Sequence, residues 1–301
     1  MRLLFLILLL ASCRPADRAP SASSVAIEPD TGRVRVPGST LFYESAGTGS
    51  PVILLHGGNL DRRMWDAEFG ALQRTHRVIR YDARGYGRSG ASDTAFSAHH
   101  DLRALMDALQ LPRASLVGLS LGGRVAMDFA LAHPERVRRM ILLDAAGYPR
   151  ANMPFAFKLA RNPVTKIFTR WVAPRSLVKK SLLEVYGDDG KVTEELVQRY
   201  FELTLRAGNR EAFVARANAF HEVEFERIKQ ITTPTLIQWG AEDLWIPVQE
   251  ALRFDADIPH SELIVYEGIG HVPMEEIPER TSRDAKNFLQ RESMSVSLKT
   301  E

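Results

Sequence analysis

Along most of the chain, short apolar runs bounded by turn residues alternate with segments whose apolar positions recur every three to four residues. The apolar runs are Val52 to Leu55, Val78 to Tyr81, Leu116 to Leu119, Met140 to Leu143, Leu236 to Trp239 and Leu263 to Tyr266. Runs this short with little polar alternation predict strands buried on both faces. The helical spacing lies in Ala98 to Leu109, Leu121 to Ala132 and Ile277 to Leu289. Strand and helix taking turns predict an α/β fold, a mainly parallel sheet flanked by helices and joined by right-handed crossovers. Ahead of it, Arg33 to Val36 alternates and Leu41 to Tyr43 follows a Pro37-Gly38 turn signal. That pair predicts an antiparallel hairpin at the sheet edge.

Between Gly147 and Phe225 the alternation stops and helical segments dominate. This stretch holds eleven of the chain's 25 aromatics, among them Phe155, Phe157, Phe168, Trp171, Tyr186, Phe213 and Phe220. Most such rings form a core of their own, and together they predict a helical cap over an apolar chamber. The chain then divides into an α/β core over 31–146 and 226–292, with a cap over 147–225 inserted into it.

The first thirty residues follow a different pattern. Arg2 precedes an unbroken apolar run from Leu3 to Ala11, the charged start and short apolar centre of an export signal. It is shorter than the about 20 apolar residues a membrane-spanning helix needs. Leu10-Ala11-Ser12-Cys13 resembles the bacterial lipobox, which predicts a signal peptide over 1–12 and a lipid on Cys13; the alternative is an ordinary signal cut near Ser12. Residues 13–30, rich in Pro, Ala and Ser, then form a flexible tether. The expected location is an outer membrane or cell surface, held through the lipid anchor alone.

Composition narrows the partners. The 301 residues are 45% hydrophobic, enough for a full-sized core, and carry a formal net charge of +2 with no basic run. That offers no footprint for nucleic acid. Cys13 is the single cysteine, so the chain builds neither an internal disulfide nor a cysteine-rich zinc site.

Gly118-Leu119-Ser120-Leu121-Gly122 sits where a predicted strand meets a predicted helix. A serine in so tight a turn needs small neighbours, which Gly118, Gly122 and Gly123 supply, and the turn lifts its hydroxyl above the sheet. Ser120 is the candidate nucleophile. A hydroxyl is weak without a base, and the base needs a carboxylate to fix its tautomer. Of eight histidines, His260 and His271 follow the candidate acids, and His271 lies just beyond a strand in Gly268 to Pro273. Loops at the carboxyl ends of strands are where such sheets build their sites, so His271 is the candidate base, ahead of His260 and His221. Asp243, just after the strand ending at Trp239, is the candidate acid, with Asp144 second and the adjacent Glu242 a substitute. The oxyanion hole needs two backbone N–H donors. Leu121 offers one and Gly58, in the loop after Leu55, the other, with Asn59 its rival; His56 is expected to tie that loop together. Gly85 to Gly90 matches the dinucleotide fingerprint G-x-G-x-x-G but does not open a helix. With no metal-ligand spacing either, no cofactor and no metal are expected.

Several motifs in order resemble the serine α/β-hydrolase superfamily over about Thr40 to Leu289. They are His56-Gly57-Gly58, Asp82 to Ser89, Gly118 to Gly123, His133-Pro134-Glu135, Gly240 to Asp243 with Ile246-Pro247, and Gly270-His271. The resemblance implies a nucleophile, acid and base at Ser120, Asp243 and His271 and a structural role for Asp82 to Ser89. Serine at the elbow points away from the haloalkane dehalogenases and epoxide hydrolases, which use aspartate there. Asn59-Leu60 lacks the Pro-Gly continuation of proline iminopeptidases and many carbon–carbon bond hydrolases. Carboxylesterases and lipase-like enzymes fit best, so the expected reaction is cleavage of a small apolar ester through an acyl-enzyme. The alternatives are a non-hydrolytic receptor or partner-binding protein on the same fold, and a lactonase, thioesterase or perhydrolase using the same triad.

Overall fold

A computed structural model describes residues 28–91, 97–149, 155–165, 174–206, 208–218 and 225–291. The expected signal peptide, Cys13 and most of the tether lie outside the described residues, as do Phe168, Trp171, Phe220 and His221. The strands are β1 (Asp30–Val36), β2 (Ser39–Ala46), β3 (Pro51–Leu55), β4 (Arg77–Tyr81), β5 (Ala114–Leu119), β6 (Val137–Leu143), β7 (Thr235–Gly240) and β8 (Ser261–Tyr266). They form one eight-stranded sheet in the order β1-β2-β4-β3-β5-β6-β7-β8. The hairpin β1–β2 is antiparallel and joins β4 antiparallel, while β4 to β8 along the sheet are all parallel.

The helices are α1 (Asp66–Leu72), α2 (Ala98–Ala108), α3 (Leu121–Ala132), α4 (Phe155–Arg161), α5 (Arg175–Val185), α6 (Glu194–Leu205), α7 (Asn209–Asn218), α8 (Val248–Asp257), α9 (Pro273–Glu276) and α10 (Pro278–Gln290). The sheet's alternating side chains feed two apolar layers, because neighbouring strand residues point to opposite faces. Ile53, Leu55, Leu116, Leu142 and Trp239 pack with Leu102, Met106, Phe129 and Phe254 from α2, α3 and α8. Val52, Leu54, Val117, Ile141 and Leu236 pack on the other face with Phe69, Leu72 and Phe288 from α1 and α10. The central strands therefore read as unbroken apolar runs.

Two strands depart from that expectation. β8 pairs with β7 alone, and its Leu263, Ile264 and Val265 are half-buried rather than buried, because an edge strand has a neighbour on one side only. Arg80 in β4 is buried and charged; its Nε donates to Glu44 at 2.8 Å, and its guanidinium also pairs with Asp66.

Helices α4 to α7 occupy the stretch between β6 and β7, above the carboxyl end of the sheet. Phe157 of α4 meets Phe213 of α7 edge to face, ring centres 5.0 Å apart, and Trp245 of the core at 6.0 Å. Thr193 caps α6 by accepting from Leu196 N–H at 3.2 Å. Among the described residues, no helix is long and apolar enough to cross a membrane.

Candidate active site

The candidate residues come together at the carboxyl ends of β3, β5, β7 and β8. Of the four described non-glycine residues with positive φ, three lie in these loops or beside them: Asn59 at 59°, Ser120 at 52° and Asp144 at 40°. Such conformations cost on the order of 1–3 kcal/mol each and persist where the surroundings over-determine them. For Ser120 the surroundings are backbone. Its N–H donates to Leu143 O at 2.9 Å and its carbonyl accepts from Ala146 N–H at 3.0 Å. A Cβ on Gly118 would sit 2.5 Å from the Gly122 carbonyl, and one on Gly122 would sit 2.1 Å from Leu55 O. Only glycine allows β3, β5 and the start of α3 to approach this closely, and the serine turn follows from that approach.

His271 and Asp243 are both buried and meet through a 2.7 Å hydrogen bond from Nδ1 to Oδ2. The other Asp243 oxygen accepts from Trp245 N–H at 2.7 Å and Ile246 N–H at 2.9 Å, so the carboxylate is oriented by its own turn. With Nδ1 engaged, Nε2 is the ring nitrogen left to handle a proton. His271 and Ser120 line one cavity. The His271 loop is also fixed through its backbone: its N–H donates to Val185 O at 2.6 Å, and Gly270 N–H donates to Glu276 Oε1 at 2.7 Å. Val185 is the last residue of α5, so the helical insertion holds the histidine loop directly.

The alternative acids separate clearly. Glu242 is exposed. Asp144 is fully buried; its Oδ1 accepts from Gly240 N–H at 2.9 Å and its Oδ2 has no hydrogen-bond partner. Burial, reinforced by the neighbouring Asp243 carboxylate, pushes the Asp144 carboxyl well above the usual range. Asp144, Asp243 and His271 have donor atoms within 4.8 Å of one another. Asp243 and His271 nevertheless address each other through their 2.7 Å hydrogen bond. His260 precedes β8 and so lies at the opposite, amino end of the sheet.

Gly58, Asn59 and Leu121 line the cavity beside Ser120. Leu121 opens α3, where the first N–H groups have no partner within the helix. A Cβ on Gly58 would meet Leu121 Cδ1 at 3.0 Å, so a side chain there would crowd the two donors. His56 uses both ring nitrogens as a tie: Nδ1 bonds Gly57 O at 2.7 Å and Nε2 accepts from Ala83 N–H at 2.8 Å. Asp82 organises the segment after β4, accepting from Arg62 N–H at 2.9 Å and Arg88 N–H at 2.7 Å. Gly85 to Gly90 folds around that carboxylate, and α2 begins only at Ala98.

The rest of the cavity wall comes mainly from the insertion: Phe157, Leu177, Val178, Leu182, Val185 and Phe213 supply apolar surface, and Ser181, Tyr200, Thr204, Asn209 and Arg210 supply polar groups. The sequence does not single out Trp245, whose ring lies 5.5 Å from that of His271 and forms part of the wall. Its position two residues after Asp243 is the only signal it carries.

Comparison with known proteins places this geometry among relatives. The Alpha/beta hydrolase family matches residues 52–284. A 2-hydroxy-6-oxononadienedioate/2-hydroxy-6-oxononatrienedioate hydrolase of Burkholderia vietnamiensis is 32% identical over 271 residues, which cover 83% of this chain and 91% of that protein. A thermophilic esterase from Thermogutta terrifontis is 29% identical, with a TM-score of 0.76 over 87% of this chain and 98% of its own. A meta-cleavage product hydrolase from Pseudomonas fluorescens is 27% identical, with a TM-score of 0.75 over 86% of this chain and 97% of its own. The missing Pro-Gly after Gly58 therefore does not set this chain apart from carbon–carbon bond hydrolases in overall similarity.

Proposed function

Because this chain belongs to the alpha/beta hydrolase family, we propose that it hydrolyses a carboxylic ester through an acyl-enzyme, with Ser120 as nucleophile, His271 as base and Asp243 as orienting acid. The observation that carries this reading is the buried 2.7 Å Asp243–His271 pair opening on the same cavity as the strained Ser120 turn. His271 Nε2 takes the Ser120 proton as Oγ attacks the carbonyl carbon. The N–H groups of Gly58 and Leu121 hold the oxyanion, and the α3 N-terminus favours its negative charge. His271 returns the proton to the leaving alcohol, then activates the water that clears the acyl group. Asp243 stabilises the imidazolium formed in each half-reaction. Burial raises the Asp144 carboxyl, which disfavours a second negative charge beside Asp243.

A chain-length series of 4-nitrophenyl esters, run beside a fluorophosphonate that labels activated serine, tests the reading. Turnover of one or more esters with labelling of Ser120 supports it; labelling with no ester turned over removes the ester assignment. The Burkholderia vietnamiensis relative favours a second reading, cleavage of a carbon–carbon bond in a 2-hydroxy-6-oxo dienoate by the same triad. Loss of the dienoate's absorbance on mixing, faster than cleavage of any ester, selects it.

We also propose that Cys13 carries lipid and holds the enzyme at a membrane surface, from the Leu10 to Cys13 sequence and the polar tether after it. Cys13→Ser then releases the protein from the membrane fraction, since acyl chains contribute about 0.8 kcal/mol per buried methylene and the tether has no replacement. Unchanged retention contradicts the anchor.

A further inference from the structure

One cation in the cavity wall has no counterpart among the described residues. Arg210, the second residue of α7, lines the cavity, and its Nε is buried with no hydrogen-bond partner among the described residues. Three other arginines of the insertion are matched: Arg199 pairs with Glu275 at 2.6 Å, Arg206 with Asp61 at 3.3 Å and Arg175 with Glu194 at 2.6 Å. Among the described residues lining the cavity, none is Asp or Glu. The neighbouring residue repeats the pattern in neutral form. Asn209 is 3% exposed; its Nδ2 donates to Leu203 O at 2.7 Å, while its Oδ1 is buried and unpartnered. A charged donor and a neutral acceptor thus stand side by side in an otherwise largely apolar wall, each lacking its complement.

We propose that Arg210 and Asn209 form a carboxylate subsite, and that the substrate is a half-ester of a dicarboxylic acid whose free carboxylate lies remote from the scissile carbonyl. Buried polar groups are paired as a rule, so unpaired ones in a ligand cavity point to what the ligand brings. The terminal Nη groups of the guanidinium match a carboxylate bidentately, and low-dielectric surroundings strengthen the pair. Asn209, buried beside it, braces this end of α7 through its 2.7 Å bond to Leu203 O. The apolar wall between this subsite and Ser120 takes the methylene chain joining the two carbonyl groups. This deepens the ester-hydrolase reading and rests on it for the bond that is cut, but not for the anion that is bound.

The test compares 4-nitrophenyl hydrogen glutarate with the neutral 4-nitrophenyl methyl glutarate on the full chain. The wild type should favour the anionic ester in kcat/KM, and Arg210→Met should reduce the anionic-to-neutral ratio by about tenfold or more. Arg210→Lys should recover part of the preference, and added salt should weaken it. A ratio unchanged in Arg210→Met overturns the subsite. Calorimetry with glutarate, and with dimethyl glutarate as neutral control, decides the matter independently of turnover. Glutarate should bind the wild type and lose about tenfold in affinity in Arg210→Met; absence of binding to the wild type, or equal binding to both proteins, contradicts the proposal. Glutarate binding in a protein that cleaves neither ester retains the subsite and removes the ester reading.

Discussion

The loops at the carboxyl end of the sheet and the helical insertion above them close on one cavity, but different contacts hold them. In the loops, backbone lies on backbone: a Cβ on Gly122 would fall 2.1 Å from Leu55 O, and one on Gly240 would fall 2.0 Å from Gly270 O. In the insertion, side chains carry the packing, through the Phe157–Phe213 contact and the Glu275 carboxylate, which accepts from Tyr200 at 2.9 Å and pairs with Arg199 at 2.6 Å. Backbone contact at van der Waals limits leaves one arrangement, whereas side-chain packing tolerates exchange at similar volume. The chemistry is thereby fixed while the shape of the cavity can vary. The two regions meet at Val185, whose carbonyl accepts from His271 N–H at 2.6 Å, so the end of α5 is the part of the insertion least open to change.

The largest effect belongs to the loops. Asp243→Asn should lower kcat by about 10³- to 10⁴-fold, because an amide favours the wrong His271 tautomer. Asp144→Asn keeps the acceptor for Gly240 N–H and leaves the Asp243–His271 bond in place, so it should stay within about tenfold of wild type. Steady-state kinetics on one ester ranks the two, and the reverse ranking moves the orienting role to Asp144.

Stability should divide the same way. Gly122→Ala forces a methyl into the Leu55 carbonyl and should cost about 2–4 kcal/mol in denaturant unfolding. Gly190→Ala, in the insertion, meets only the Asp188 side chain at 3.0 Å and should stay within about 0.5 kcal/mol of wild type. Equal costs would erase the contrast.

A titrating group separates the layers further. Glu68 in α1 is buried against α10, accepting from Thr281 Oγ1 at 2.8 Å, and burial pushes its carboxyl up to about 8 from the ordinary 4.5. Below 4.5 both folded and unfolded states hold the proton; from there to about 8 the unfolded chain releases it and the folded one does not. Its contribution to stability is therefore complete in acid and lost as pH rises to about 8. Glu68→Gln keeps the acceptor for Thr281 and should flatten that decline, so that the variant gains on wild type as pH rises. Unfolding curves at pH 5, 7 and 9 show it; parallel declines in the two proteins would refute it.

The smallest effect lies in the cavity wall. Leu177 is half-buried on α5 and lines the cavity, so Leu177→Ala should shift the preferred acyl chain by one or two methylenes, each about 1 kcal/mol in selectivity, with little change in melting temperature. A large loss of stability with no shift in preference would place Leu177 in the insertion's own core.

What was legible in the sequence follows the same division. The strands of the central sheet stand out because both faces are buried, as with Val52 to Leu55, and the Ser120 turn because backbone contact demands glycine at 118 and 122. Edge strand β8 misleads, since Leu263 to Val265 are as apolar as the central runs but half exposed. Asp243 is preferred to Glu242 from its place after the strand, and the turn after β7 adds the physical reason, burying one carboxylate and exposing the other. In the insertion, helices and aromatics are readable but their neighbours are not. Nothing in the sequence distinguishes Arg210 from Arg199 or Arg206 until the fold supplies carboxylates to two of them and not to the third.

The most direct measurement is peptide mass spectrometry after reaction with a fluorophosphonate, run on wild type and Ser120→Ala. A single adduct on the Gly118 to Gly123 segment, absent from Ser120→Ala while that variant unfolds at the same denaturant concentration, is the result expected. An adduct elsewhere, or labelling that survives in Ser120→Ala, would contradict Ser120 as the nucleophile.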